Sequence, residues 1–194
     1  VAGIIASKNF GVAPAVNLYS IRIVEDTDAE WVWADDFVRG ANWILSTYSD
    51  EQLGNEIDVV NMSFSVFNVT LTAINHSLST MYDKGVSLVT SSGNEGTSNP
   101  LVDNMDTSLA KHPDTIAVGA LTVTDERLER VDFSSTGPKV ELSAPGHDIV
   151  STNGIQGTYG KAGGTSQAAP YVTGAIAILK QQFPNKESVG ATTD

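Results

Sequence analysis

The 194 residues are 41% hydrophobic and 18% charged, a globular composition that makes one domain the expectation. Lys and Arg number 11 against 23 Asp and Glu, and the resulting charge of −12 repels phosphate backbones and anionic membranes, which excludes nucleic acid as an expected partner. With no cysteine, disulfides, thiolate zinc sites and cysteine nucleophiles are excluded as well.

The first segment, Val1 to Ser7, has no basic region and no long apolar run, so it does not read as a signal peptide. Nowhere does the chain reach the ~20 consecutive apolar residues that span a bilayer. Val16 to Val24, with Leu18, Ile21 and Ile23, predicts a strand, and an acidic loop from Glu25 to Glu30 follows. Phe37, Ala41, Ile44, Leu45 and Tyr48 fall at helical spacing. Ile57 to Met62 predicts a buried strand. Leu71, Ile74, Leu78, Met81 and Tyr82 predict a second amphipathic helix, with Gly85 as its C-terminal stop. Val86 to Thr90, Thr115 to Leu121 and Val140 to Ala144 are further strands. From Ser166 to Phe183 the chain predicts a helix apolar on nearly every side, buried all round, with Pro170 in its first turn.

Strands alternating with helices imply an α/β fold with a largely parallel sheet. Sites in such sheets form beyond the C-terminal ends of strands. That directs attention to Ser63-Phe64-Ser65, to Ser91-Ser92-Gly93-Asn94-Glu95-Gly96 and to the glycine-rich run before Thr165. By itself, Ser166 reads either as a helix N-cap or as a nucleophile whose own N–H helps hold an oxyanion. Asn94, alone, reads either as a turn residue or as a second oxyanion donor.

Taken together, these segments resemble the subtilisin-like serine proteases. Gly164-Thr165-Ser166-Gln167-Ala168-Ala169-Pro170 is similar to the family's nucleophile motif, and Ser92-Gly93-Asn94-Glu95-Gly96 to its oxyanion-hole motif. Val59-Val60-Asn61-Met62-Ser63-Phe64 resembles the strand beside bound substrate. Val1-Ala2-Gly3 followed by Gly11-Val12-Ala13-Pro14 resembles the helix after the catalytic His and the loop leaving it. Ile116 to Ala120, Phe133 to Gly137 and Ala144-Pro145-Gly146 match in the same order.

The resemblance implies a three-layer α/β/α domain over residues 1–194, lacking its N-terminal part, and serine endopeptidase chemistry through an acyl-enzyme on Ser166. It assigns Asn94 to the oxyanion hole. Ser63, Phe64, Ser65, Ser91, Ser92 and Gly93 become walls of the main specificity pocket, with Ser65 where the family often has Gly. The substrate is expected to be a protein or peptide bound as an added extended strand. The triad order Asp, His, Ser places the two missing members upstream of Val1, so the missing segment of the same domain is itself an expected partner. His76, His112 and His147 read as surface residues, and nothing positions Lys161 near Ser166. A non-catalytic peptide-binding relative remains the alternative. No cofactor is expected. Many relatives bind calcium between the helix and the Gly-Val-Ala-Pro segment, but here only Ser7 to Phe10 bridges that gap, too short to supply about six oxygens. Location outside the cell or at its surface is implied by the family.

Overall fold

The structure, a computed structural model, describes residues 1–24, 32–47, 57–64, 66–67, 71–96, 109–124, 127–154 and 157–184. In chain order the elements are α1 (Ala2–Ala6), β1 (Val32–Trp33), α2 (Ala34–Thr47), β2 (Val59–Met62), β3 (Val66–Phe67), α3 (Leu71–Asp83) and β4 (Ser87–Ser91). Then come β5 (Thr115–Val123), β6 (Leu128–Arg130), β7 (Val140–Pro145), β8 (Ile149–Thr152), β9 (Tyr159–Ala162) and α4 (Thr165–Gln182).

A five-stranded sheet organises these elements. β2, β4 and β5 run parallel, with Val59 opposite Ser87 and Leu88 opposite Thr115. β7 also runs parallel to β5, while β6 pairs antiparallel with the end of β5. β4 is buried at all five positions, as expected of a parallel strand covered on both faces. Its alternation sorts the core. Leu88 joins Phe37, Ala41 and Ile44 of α2 and Ile74, Leu78 and Met81 of α3 on one face. Val89 joins Ile116 and Val118 with Ala168, Ala169 and Ile176 of α4 on the other. The result is helix, sheet, helix, the three-layer arrangement expected. β1 and β3 form a separate parallel pair, and β8 and β9 an antiparallel hairpin.

Three expectations need correction. Residues 17–23 form no ladder among the described residues; their apolar side chains, Ile21 and Ile23, instead pack on the α2–α3 core. Apolar content drew that segment inward, but a strand also needs a paired neighbour. Second, α4 is not buried all round: it lies on β2, β4, β5 and β7 and against α1, and its remaining side leaves Ala175 and Leu179 exposed. Third, α4 starts at Thr165, so Pro170 sits inside the helix and not in its first turn. Having no N–H, it cannot bond the Ser166 carbonyl four residues back. Gly85, by contrast, turns the chain after α3 at φ +87°, with the Val86 N–H bonded to the Met81 carbonyl.

Candidate active site

Ser166 lies in the first turn of α4, where backbone N–H groups have no carbonyl four residues back within the helix. Its side chain is half-buried, and Oγ donates to the Ser63 carbonyl at 3.2 Å, just beyond the end of β2. Two strand ends and one helix start therefore converge here, as parallel-sheet geometry favours.

Asn94 follows β4 on an exposed loop, and its amide is held from one side. The Thr165 N–H donates to Asn94 Oδ1 at 2.9 Å, and the Thr165 hydroxyl to the same oxygen at 3.0 Å. A backbone N–H can only donate, so the amide end facing Thr165 is the oxygen. The NH₂ end is left to donate elsewhere. The Thr165 hydroxyl in turn accepts the Gly93 N–H at 3.3 Å. Loop 92–96 is clamped from behind: Ser135 N–H bonds the Gly93 carbonyl at 3.0 Å, Gly96 N–H the Phe133 carbonyl at 2.9 Å, and Ser135 Oγ the Glu95 carboxylate at 3.2 Å. The loop before α4 is tied down likewise, by Gly164 N–H to the Gly146 carbonyl at 2.8 Å.

Ser91, Ser92 and Gly93 are buried, and Ser92 N–H bonds the Val118 carbonyl at 3.0 Å. Ser63 and Phe64 are half-buried, the Phe64 ring lying 6.4 Å from that of Phe37. Ser65 is outside the described residues. Beside Ser63 opens a cavity of about 980 Å³. One wall is the segment Val16–Ile23 and the other is β2 with its continuation to Phe64, while Thr173 and Ala177 of α4 also line it. Among the described residues β2 pairs only with β4.

No histidine is hydrogen-bonded to Ser166 among the described residues. His76 and His147 are exposed, as expected, but His112 is not: it is 6% exposed. Its Nδ1 accepts the Asp114 N–H at 3.2 Å, and the Asp114 carboxylate is 3.8 Å away. Burial lowers its pKa from the ordinary 6.5, with Asp114 and a backbone bond to Asn75 opposing and Lys139 adding to the drop. The loop 109–114 folds over the start of β5, a tertiary closure that local sequence did not signal. Lys161 pairs with Asp148 at 3.6 Å. Thr165 and Ser135, which hold the Asn94 loop, were not singled out from sequence, since their partners are 71 and 40 residues away.

A serine in the first turn of a helix packed on the sheet, beside an asparagine held at the end of a parallel strand, is the arrangement of a subtilisin-type scaffold. The chain belongs to the subtilase family, whose model matches residues 1–193. It is 34% identical to subtilisin E of Bacillus subtilis (strain 168), over 95% of this chain and 45% of that protein. Identity to subtilisin of Bacillus pumilus is also 34%, over 95% of this chain and 62% of that one. A cold-adapted subtilisin-like serine proteinase superposes with TM-score 0.76 at 29% identity, covering 94% of this chain and 60% of the other. Sphericase superposes with TM-score 0.78 at 24% identity, which speaks for the fold alone. The chain thus spans between about half and two thirds of the length of these relatives.

Proposed function

We propose that the whole protein is a serine endopeptidase in which Ser166 forms the acyl-enzyme. The observation that carries this reading is the Asn94 amide, turned by Thr165 so that its NH₂ end is free beside the first turn of α4. Ser166 Oγ attacks the scissile carbonyl carbon as a base takes its proton. The carbonyl oxygen becomes negative, and Asn94 Nδ2 and the Ser166 N–H donate to it. Collapse of the tetrahedral intermediate expels the amine, which takes the proton back from the base. Water then hydrolyses the ester.

The base and its orienting acid come from residues of the domain outside these 194. The cavity beside β2 supports this, because it borders a strand edge without a described partner and has Ser63 on its rim. An extended segment entering there ends next to Ser166. Substrate adds as a strand alongside the site, between Ser63 and Phe64 on one side and Ser91, Ser92 and Gly93 on the other. No described helix is long and apolar enough to cross a membrane, and the family's secreted members support an extracellular location.

The bridge Ser7–Phe10 does not suit calcium. Gly11 N–H occupies the Ser7 carbonyl at 2.7 Å, Lys8 brings positive charge, and Asn9 Nδ2 donates to the Tyr159 hydroxyl at 3.3 Å. Phe10 packs edge-on to Tyr159 at 5.4 Å. This aromatic contact ties α1 to the β8–β9 hairpin, and we propose that it works there without a metal.

The test is hydrolysis of a peptide p-nitroanilide by the full-length protein. Ser166→Ala is expected to lower turnover by roughly 10⁴–10⁶, the range known for triad loss in subtilisin. A wild-type protein that binds peptides but cleaves none, or whose cleavage survives Ser166→Ala, contradicts the reading.

A further inference from the structure

Resting on that reading, we infer that Asn61 and Thr173 are positioning residues for Ser166, acting through Ser63. β2 alternates: Met62 and Val60 pack into the α2–α3 core, while Val59 packs on the α4 side. Asn61 shares that side with Val59. An amide thus stands in a layer otherwise built from groups such as Val59, Ala169 and Ile176. It is met there by Thr173 of α4, which is 3% exposed.

The Thr173 hydroxyl lies 2.9 Å from Asn61 Oδ1 and 3.2 Å from the Ala169 carbonyl. It has one hydrogen, and the shorter contact takes it. Asn61 Nδ2 donates to Ser63 Oγ at 2.8 Å, and the Ser63 carbonyl accepts from Ser166 Oγ at 3.2 Å. The path leaves α4 at Thr173, crosses to β2 at Asn61, and returns to α4 at Ser166. The Ser166 hydrogen leaves the Ser63 carbonyl when it turns to the base, but the Thr173–Asn61–Ser63 links remain and fix how far the end of β2 stands from α4. Helix-on-strand packing by Ala and Val sets this distance only loosely, because apolar contacts have no direction. Hydrogen-bonded links set it by direction as well as distance. Polar groups are costly in an apolar layer unless paired, so their presence here calls for a role that valine in both positions would not fill.

The experiment is steady-state kinetics on the full-length protein carrying Thr173→Val, Thr173→Ser, Asn61→Leu or the Thr173→Val/Asn61→Leu pair. Thermal melts identify the folded variants. Thr173→Val keeps the shape and removes the donor, so it decides the matter even if Asn61→Leu fails to fold. The expected result is kcat down about tenfold with KM within about twofold, since small displacements of a reacting group act on the chemical step. Thr173→Ser restores kcat, and the pair is no worse than the poorer single variant. Activity that depends on Ser166 but ignores Thr173→Val overturns this inference alone. So does an equal loss in Thr173→Ser, which would assign the effect to the methyl group. Activity independent of Ser166 overturns the protease reading and this inference together.

Discussion

Thr165 gives Asn94 Oδ1 two donors, and that pair decides which end of the amide can reach a substrate. In the full-length protein Asn94→Leu is therefore expected to lower kcat by about 10²–10³ with KM little changed, the magnitude known for this donor in subtilisin. Stopped-assay kinetics over a range of substrate concentration checks it; a raised KM with full kcat would remove Asn94 from the oxyanion hole. Gln167 bears on a different hazard. Many subtilisins have Met directly after the nucleophile, and its sulfoxide places a polar oxygen beside the site. Here the described methionines, Met62 and Met81, are 2% and 1% exposed in the α2–α3 core. Residual activity is expected to persist in peroxide for the wild type and to decay in Gln167→Met. Equal decay in both would place the vulnerable group elsewhere. Ser166 and Asn94 were legible in the sequence because each sits in a contiguous motif. Thr165, Ser135, Asn61 and Thr173 act through partners distant in the chain, which a linear reading cannot pair.

The secondary elements divide in the same way. α2, α3, β2, β4, β5 and β7 carry long periodic or continuous apolar runs, and each falls close to its expected place. β1 and β3 are two residues long, β6 and β9 are mostly exposed and β8 is half exposed, so none of them carries a usable pattern. α4 shows how packing overrides propensity. A Cβ added at Gly174 would lie 2.7 Å from Val12 Cβ, so this glycine lets α4 press on the segment leaving α1. Gly174→Ala gains about 1 kcal/mol in helix propensity and loses about 1–3 kcal/mol to overpacking. The net expectation is a lower melting temperature, recovered in part by adding Val12→Gly, which removes that Cβ; a higher one for the single variant would refute the contact. His112 sets a second element-scale expectation, at the entry to β5. Its folded pKa is lowered below 6.5, so the neutral form is the native one. The stability it contributes is full above the unfolded pKa near 6.5 and is lost as pH falls through the lower folded value. Melting temperature followed from about pH 7 downward should fall more steeply in the wild type than in His112→Gln. Parallel curves would show that His112 protonation is not coupled to folding.

At the scale of the molecule, Ser166 and Asn94 stand at one end of the sheet while a cavity of about 980 Å³ runs beside the edge of β2. Parallel sheets covered on both faces leave little room for such a gap at their centre. Alternation of strands and helices was enough to read the α/β class from sequence, and the ordered motifs were enough to read three layers. The open edge was not legible from residue pattern, because Val16–Val24 has the composition of a paired strand. With the base for Ser166 proposed to lie outside the 194 residues, these residues alone should form an inert scaffold around an intact nucleophile. The most direct test is labelling with a fluorophosphonate, which reacts with an activated serine, followed by peptide mass analysis. One label on Ser166 is expected in the full-length protein, none after Ser166→Ala, and none on the 194-residue chain by itself. Stoichiometric Ser166 labelling of the isolated chain, or an unlabelled Ser166 in the full-length protein, would contradict this expectation.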